Sequence, residues 1–410
     1  MIFVVGAGLG RTLLGWLGHR GTPDLEWARK VDKENSTGHS FSKALLVSAR
    51  SDGDQTLLLV ETNSKVPGEE RAWLLWLDRN GKVLREKVYG ASLGASGLAL
   101  APAPEDGTFL VGDRQVSRNT FQGWVLRLDA AGEVLWEKTL GRPGLTGLET
   151  ARALADGGVV VGGAQQSVGY IARLDPNGDM VWEKELPEQR RVSAVVPLAD
   201  GSLVLGCRTE ISTTGPGRSS VLALRADGTM LWKTDLSSQG KIDLKAAAGL
   251  ASGDVLIAGR RASVDGKDDA AWLARLGAAA GQIVWQHSLG EPGESTDVSD
   301  LLALPALGQQ EAEHPKEAEA LLLVSAVRMG ERIERHRAVV ALGTNGSVLW
   351  QKRWGGSDTD YTAALARRTD GSLVVAGSFQ RAGQVGKTQA ALWQLDAEGA
   401  ILSEHIHDLP

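Results

Sequence analysis

The sequence predicts an all-β fold made of repeated four-stranded units, and three observations support this prediction. One hairpin pattern recurs along the chain, a second hairpin pattern precedes its copies, and the composition suits a repeat. Among 410 residues there are 51 glycines, and 13 tryptophans stand beside only three tyrosines and five phenylalanines. A repeated unit that carries one tryptophan would produce this unusual aromatic balance.

The first pattern is an alternating apolar strand, a tight turn that ends in glycine, and a second strand that reaches a tryptophan. Its five full copies contain Trp136, Trp182, Trp232, Trp285 and Trp350 and read LRLDAAGEVLWEK, IARLDPNGDMVWEK, LALRADGTMLWKT, LARLGAAAGQIVWQH and VALGTNGSVLWQK. Two further copies, around Asp78 and Asp396, keep the turn and lack the tryptophan. The chain therefore contains seven such hairpins.

The second pattern is a shorter hairpin with Asp-Gly, or a similar pair, at its turn. It reads ALADGGVVVGG, PLADGSLVLGC, GLASGDVLIAGR and RRTDGSLVVAGS. Glycine after aspartate supplies the positive φ that a tight β-hairpin turn requires. Each unit thus has four strands, A to D, with A and B joined at Asp-Gly and C and D joined at Asp-x-x-Gly.

The spacing of the tryptophans predicts a single β-propeller that spans residues 1–410. Successive tryptophans from Trp136 to Trp350 are separated by 46, 50, 53 and 65 residues, which is typical of propeller blades. The longest interval is explained by a polar insertion at residues 308–319, between predicted strands Leu301–Leu307 and Leu321–Val327. Because this insertion is rich in glutamate and contains Pro315, we expect a solvated loop.

The N-terminal residues favour a count of eight blades. Residues 1–31 contain strand-like runs at Ile2–Ala7, Thr12–Leu17 and Leu25–Lys30, with Trp27 in the register of strand D. We expect a partial blade that lacks strand A, packed between the first and last of seven full blades in residues 32–410. We also expect the missing strand, with any export signal, upstream of Met1. The alternative is seven blades with an unrelated N-terminal arm.

One segment carries a resemblance to a known family. Residues 350–378, WQKRWGGSDTDYTAALARRTDGSLVVAGS, closely resemble bacterial SBBP-type β-propeller repeats. More distantly, the C–D hairpins resemble those of quinoprotein-type propellers, which include dehydrogenases and the outer-membrane assembly lipoprotein. This resemblance implies a propeller and favours an extracytoplasmic setting in the periplasm, the envelope or outside the cell. Its motifs specify blades and do not specify ligands.

Charge and hydropathy exclude several classes of partner. The 44 basic residues are outnumbered by 50 acidic ones, which argues against a nucleic-acid footprint. No stretch is long and apolar enough to span a bilayer. We therefore expect a monomeric ring that has no nucleic-acid partner and no transmembrane segment.

No constellation typical of catalysis, cofactor binding or metal binding is evident. The predicted A strands, which line the channel of a propeller, are mostly small and aliphatic, for example KAAAGLA and TAALARR. No set of carboxylates, histidines or a Ser-His-Asp group recurs there, so we predict no catalytic residue and no cofactor. The turn aspartates Asp78, Asp129, Asp175 and Asp396 are expected to cap their own turns and not to bind calcium.

The variable B–C and D–A loops should share one face of the ring, which we call the loop face. Rigid strands with divergent loops on one face are a common way to present a binding surface. Nine arginines there form the candidate binding face: Arg114, Arg118, Arg208, Arg218, Arg260, Arg261, Arg332, Arg335 and Arg337. We predict a non-enzymatic scaffold that binds a protein or peptide on this face. The alternative is a propeller enzyme or carbohydrate-binding protein with a divergent site at the channel mouth, and the arginines are equally compatible with keeping the loops soluble.

Overall fold

A computed structural model describes thirteen segments of the chain. They are residues 39–49, 55–64, 71–90, 94–117, 120–144, 146–210, 217–262, 269–291, 293–304, 318–329, 333–356, 359–380 and 389–408. Within these segments lie 28 strands, which form seven antiparallel four-stranded sheets, each made of consecutive strands. We number the sheets as blades 1 to 7 in chain order.

The first four blades contain β1 to β16. Blade 1 consists of β1 (His39–Ala49), β2 (Thr56–Ser64), β3 (Ala72–Leu77) and β4 (Val83–Tyr89). Blade 2 consists of β5 (Ala95–Pro102), β6 (Thr108–Ser117), β7 (Thr120–Leu128) and β8 (Val134–Gly144). Blade 3 consists of β9 (Thr146–Ala153), β10 (Val159–Gln165), β11 (Val168–Leu174) and β12 (Met180–Leu186). Blade 4 consists of β13 (Arg191–Pro197), β14 (Leu203–Glu210), β15 (Arg218–Leu224) and β16 (Met230–Asp235).

The last three blades contain β17 to β28. Blade 5 consists of β17 (Ile242–Gly249), β18 (Val255–Arg261), β19 (Ala270–Leu276) and β20 (Ile283–Leu289), after a short 3-10 helix at Ser237–Gln239. Blade 6 consists of β21 (Glu294–Ala303), β22 (Ala320–Met329), β23 (Ile333–Leu342) and β24 (Val348–Gly356). Blade 7 consists of β25 (Thr359–Arg367), β26 (Leu373–Gln380), β27 (Gln389–Leu395) and β28 (Ile401–Asp408).

The blades are arranged in a closed ring, as a β-propeller requires. The first strand of each blade contacts the first strand of the next, and β25 of blade 7 contacts β1 of blade 1. The buried apolar side chains form seven clusters, one at each interface between neighbouring blades. The hydrophobic core is therefore distributed around the ring, and each blade is stabilised by burying both of its faces.

The described residues contain seven blades, which is the alternative count, and the preferred count of eight is not observed. The expected partial blade, residues 1–31, lies outside the described residues. Blades 1 and 7 pack directly against each other where this partial blade was expected, because Leu58 and Trp73 of blade 1 share an apolar cluster with Val374 of blade 7. In addition, Arg79 forms an ion pair of 2.6 Å with Asp370 across this interface.

The turns between strands C and D explain the Asp-x-x-Gly pattern. In blade 3 the Oδ1 atom of Asp175 accepts hydrogen bonds of 2.8 Å from the backbone N–H groups of Asn177 and Asp179. Asp78 and Asp396 cap their turns in the same way. The predicted capping role of these aspartates is confirmed.

The tryptophans of strand D pack against the C–D turn of the following blade. The indole N–H of Trp136 donates to Pro176 O at 2.9 Å, and that of Trp182 donates to Ala226 O at 2.9 Å. These tryptophans are half-buried at the rim of each interface. The turn glycine leaves room for the ring, since a Cβ atom on Gly178 would lie 2.8 Å from Trp136 Cδ2.

Blade 1 carries its tryptophan on strand C and an arginine at the strand-D position. Here the tryptophan, Trp76, lies on strand C, and Arg85 takes the place on strand D. The guanidinium of Arg85 stacks on Trp76 at 4.1 Å and donates to Ala130 O at 2.9 Å. The interface between blades 1 and 2 thus keeps both the aromatic ring and the hydrogen bond to the next turn.

The A strands begin earlier than the sequence pattern predicted. Strand β21 covers Glu294–Ala303, whereas Leu301–Leu307 was expected, and β17 begins at Ile242. The early halves of these strands are polar, so they break the apolar pattern on which the prediction relied, although their backbone pairs regularly. The insertion at residues 308–319 falls between β21 and β22, and residues 305–317 lie outside the described residues.

Candidate functional site

The two ends of the ring differ in their connections. The C–D turns contain five residues in six blades and six in blade 5, where they span 277–282. The B–C connections at the loop face are unequal: two residues in blades 2 and 3, three in blade 6, and seven or eight elsewhere. The C–D turns are therefore nearly uniform and the B–C connections are variable, although the C–D end of the ring also carries one long connection, residues 304–319 between strands A and B of blade 6.

The antiparallel topology places the candidate arginines near the loop face. Those in the described residues are Arg114, Arg208, Arg218, Arg260, Arg261, Arg335 and Arg337, all on strands B or C. Each lies toward the B–C connection of its blade. Arg118 and Arg332 lie outside the described residues.

These arginines differ in their surroundings. Arg208 is buried against Asp243 of the next blade, and Arg337 is buried with its guanidinium 3.9 Å from the centre of the Trp393 ring. Both side chains therefore join neighbouring blades and face little solvent. Arg114 pairs with Glu137 at 2.6 Å, whereas Arg218 is exposed and pairs with Glu210 at 3.2 Å.

A chain of charges crosses the start of the A strands of blades 5 and 6. Asp243 binds both Arg208 and Lys245, and its oxygen lies 3.3 Å from Lys245 Nζ. The same ammonium lies 3.9 Å from Asp297 on the A strand of blade 6. Arg260 and Asp269 extend the charged cluster with an ion pair of 3.4 Å. Since charges of both signs alternate, the cluster joins three blades at the loop face and leaves its buried ions compensated.

Two acidic side chains of β21 have perturbed protonation equilibria. Burial raises the pKa of Asp297, an effect that Lys245 and Arg260 partly offset. Burial also raises the pKa of Asp300, whose carboxylate accepts hydrogen bonds from the backbone N–H groups of Leu365 and Leu301. The Asp300–Leu365 bond of 2.8 Å joins the A strands of blades 6 and 7. Both carboxylates are held by neighbouring groups in a structural arrangement.

Sequence reasoning missed this charged cluster. Arg208 and Arg260 are among the candidate arginines, but their acidic neighbours were not expected: Asp243 and Asp297 lie in the early halves of the A strands, before the predicted strand residues, and contact charged groups of other blades. The only signal in the sequence is the alternation of charged and apolar residues in Ile242–Lys245, since the corresponding residues of blade 6, Glu294–Asp297, are all polar. That alternation indicates a strand with one polar face.

A cleft of 230 Å³ opens between blades 5 and 6 on the loop-face half of the ring. Its apolar wall contains Ala271, Leu289, Val324, Ala326, Ala338 and Val340. Its polar wall contains Ser288, Glu291, Glu294, Thr296, His336, Arg337, Gln351 and Arg353. Arg353 binds the buried carboxylate of Glu294 at 3.0 Å and lies 3.8 Å from Glu291. The cleft therefore combines an apolar interior with a charge-compensated rim.

The described segments show no arrangement that suits a metal ion, because no group of three His, Cys, Asp or Glu side chains there could hold one. They also contain no helix with the length and apolar character needed to cross a membrane.

Comparison with protein families supports the resemblance seen in the hairpins. The model of a family described as outer membrane protein assembly factor BamB matches residues 121–312, from strand C of blade 2 into the insertion of blade 6. No curated protein matches the sequence. The chain is a β-propeller in which residues 121–312 match this family model, and the resemblance seen in the C–D hairpins is thereby supported.

Several solved structures are similar to the chain at low sequence identity. Sqt1 from Chaetomium thermophilum is 12% identical, with 90% of this chain and 89% of that chain covered and a TM-score of 0.50. The β-propeller domain of the Trilobed protease from Pyrococcus furiosus is 8% identical, with 87% and 96% covered and a TM-score of 0.46. The PQQ-bound aldose sugar dehydrogenase from Streptomyces coelicolor is 14% identical, with 73% and 93% covered and a TM-score of 0.38. At these identities the similarity concerns the fold alone.

Proposed function

We propose that this propeller is a non-enzymatic scaffold that binds a protein or peptide on its loop face. The observation that carries this proposal is the contrast between the C–D turns and the B–C connections. The C–D turns at one end are nearly equal in length and capped by their own side chains, whereas the B–C connections at the other end range from two to eight residues. Divergent connections on a rigid frame are typical of a recognition surface.

The charges at the loop face support a surface that is fixed in shape. Arg208, Asp243, Lys245 and Asp297 lie on strands of three blades, and each contacts an oppositely charged neighbour. Ion pairs of this kind hold side chains in one arrangement, which lowers the ordering cost when a partner binds. The ring is closed within one chain, so a monomer can present the whole face.

The proposal is tested by removing charge at opposite ends of one strand. Arg218 begins β15 at the loop face, and Arg225 follows the same strand at the opposite end, and both are exposed. We expect the double variant Arg218→Ala and Arg261→Ala to lose at least tenfold in affinity for a partner captured by the full chain, because Arg218 is exposed and Arg261 is half-buried near the B–C connections, and charges at the rim of an interface steer association. The Arg225→Ala variant, which removes one exposed charge at the opposite end, is the control.

The partner should first be identified by crosslinking to the intact protein, and its affinity for the three proteins should then be measured by calorimetry. Equal loss in Arg225→Ala, or no loss in the loop-face variant, would contradict binding at the loop face. Melting curves of all variants report whether the fold is intact.

A further inference from the structure

An aromatic side chain fills the interface with the preceding blade in four of the seven blades. Each strand-D tryptophan, or Arg85 in blade 1, pairs with one residue of strand C. Three positions before that residue, strand C carries an aromatic side chain in blades 1, 2, 3 and 5: Trp73, Trp124, Tyr170 and Trp272. All four side chains are at most 2% exposed. They belong to the apolar clusters that join each blade to the one before it.

The polar atom of the ring is bound by one particular position on strand D. Trp124 Nε1 donates to Glu137 at 2.7 Å, Tyr170 Oη donates to Glu183 at 2.5 Å, and Trp272 Nε1 donates to Gln286 at 3.0 Å. In these three blades the accepting residue directly follows the tryptophan of strand D. A buried ring with one polar atom and an acceptor at its edge is thus a repeated feature of this propeller.

Blade 6 has the acceptor without the ring. At the aromatic position it has Ala338, which faces blade 5, and after Trp350 it has Gln351. The cleft of 230 Å³ lies at this place and is lined by both residues. An interface that is filled by indole or phenol in four other blades is therefore open in blade 6.

The other two blades that lack the aromatic residue fill the space differently. In blade 4 the residue is Ser220, whose hydroxyl donates to the buried Gln189 at 2.7 Å. In blade 7 it is Ala391, in a cluster with Trp393 and Trp354. The guanidinium of Arg337 covers the Trp393 ring there. The cleft between blades 5 and 6 is lined by His336 and by the Arg353–Glu294 pair, and a volume of 230 Å³ remains open beside them.

We propose that this cleft is a binding site for the aromatic side chain of a partner protein, namely a tryptophan or tyrosine that takes the place of the missing ring. The inference rests on the proposed function, because it names the group by which a partner would be held. Gln351 accepts the hydrogen bond from the indole N–H or the phenol hydroxyl. Ala271, Leu289 and Val340 contact the faces of the ring.

The size of the cleft favours a side chain over a larger molecule. Pockets for drug-sized ligands occupy about 300–1,000 Å³, and an apolar cavity of about 150 Å³ already admits benzene. A volume of 230 Å³ lies between these values and suits one or two fused rings. Ser288, Glu291 and Gln351 are exposed at the mouth, so a side chain can enter from the outer surface. Aromatic anchors seated in pockets commonly supply most of the binding energy of an interface.

The test uses 5-fluoroindole and the full chain, with the fluorine signal followed by NMR. We expect saturable binding with a dissociation constant in the millimolar range or below, since the probe has about ten heavy atoms. The peptide acetyl-Gly-Trp-Gly-amide should displace the probe, whereas acetyl-Gly-Ala-Gly-amide should not.

Three variants locate the binding. Ala338→Trp restores the residue that blades 1, 2 and 5 carry, and it should abolish binding of the probe. Gln351→Leu alters an exposed side chain, and it should weaken 5-fluoroindole about fivefold through the lost hydrogen bond while leaving fluorobenzene unaffected. Gln286→Leu changes the equivalent position one blade earlier, where Trp272 is the donor, and should leave the affinity unchanged.

Three results would overturn the proposal: no saturable binding to the parent protein, equal binding to Gln351→Leu and the parent, or no displacement by the tryptophan peptide. The Gln351→Leu comparison keeps the test decisive if Ala338→Trp does not fold. These outcomes are separate from those at Arg218 and Arg261, because a partner could still bind the loop face without an aromatic anchor.

Discussion

Single residues determine how closely neighbouring blades can approach. The last glycine of a C–D turn has positive φ, and the tryptophan of the preceding blade packs against it. At Gly281 φ is +65°, and a Cβ atom would lie 2.5 Å from Trp232 Cζ3. At Gly253, in the A–B turn of the same blade, φ is +91° and no atom lies within 4 Å of such a Cβ. Both glycines relieve backbone strain, and only Gly281 also makes room for a ring.

We predict that Gly281→Ala destabilises the protein by about 3 kcal/mol or more, and Gly253→Ala by about 1 kcal/mol. The shared part is the strain of an alanine at positive φ, roughly 1–2 kcal/mol. The additional part is the displacement of Trp232, since overpacking typically costs about 1–3 kcal/mol. Chemical denaturation of the two variants measures the difference. Equal losses would show that the tryptophan does not pack on the turn as the structure has it.

At the scale of elements, the A–B turns of blades 4 and 7 combine an aspartate with a serine two residues later. The Ser202 hydroxyl donates to Asp200 Oδ1 at 2.5 Å, and the Ser202 backbone N–H donates to the same atom at 2.9 Å. These bonds lower the pKa of Asp200 below its ordinary value. The turn of blade 7 repeats the arrangement with Asp370 and Ser372, and the pKa of Asp370 is lowered for the same reason.

This lowered pKa predicts a pH-dependent contribution to stability. A carboxyl group whose pKa is lower in the folded state stabilises the fold above its unfolded pKa of about 3.9, and the contribution disappears as the pH falls through the folded value. We expect Asp200→Ala to lower the unfolding midpoint at pH 7 and to differ less from the parent below pH 4. Ser202→Ala should reduce this pH dependence, because it removes the stronger of the two bonds. A difference between Asp200→Ala and the parent that stays constant from pH 7 to pH 3 would refute the assignment.

The elements that the sequence predicted well are those with local signals. The hairpin turns carry Asp-Gly or Asp-x-x-Gly, and the strands around them alternate, so seven four-stranded units were recognisable from the residues alone. The starts of the A strands were not, because Asp243, Lys245 and Asp297 owe their places to partners on other blades. The cleft between blades 5 and 6 was also missed. Its signal is Ala338 at a position where Trp124, Tyr170 and Trp272 are aromatic, and recognising it requires the strand register.

At the scale of the whole molecule, the number of blades depends on how the first and last meet. The sequence pattern of residues 1–31 suggested an additional blade at this point, whereas the described blades close without one. Arg368 donates to Thr56 Oγ1 at 3.2 Å and to Arg79 O at 3.3 Å, so blade 7 contacts blade 1 through polar as well as apolar groups. Local patterns identify a blade, and they do not specify its neighbours.

A chemical crosslink between blades 1 and 7 measures this closure directly. In the closed ring of seven, Arg79 Nη2 lies 2.6 Å from Asp370 Oδ2, although the two residues are 291 positions apart in the chain. We predict that the Arg79→Lys variant, treated with a zero-length carbodiimide, yields a crosslinked peptide that joins residues 79 and 370. Lys87 and Glu133, which pair at 2.5 Å between blades 1 and 2, provide the internal control in the same sample. If the control crosslink forms and the 79–370 crosslink does not, another element separates the two blades and the seven-bladed ring is wrong.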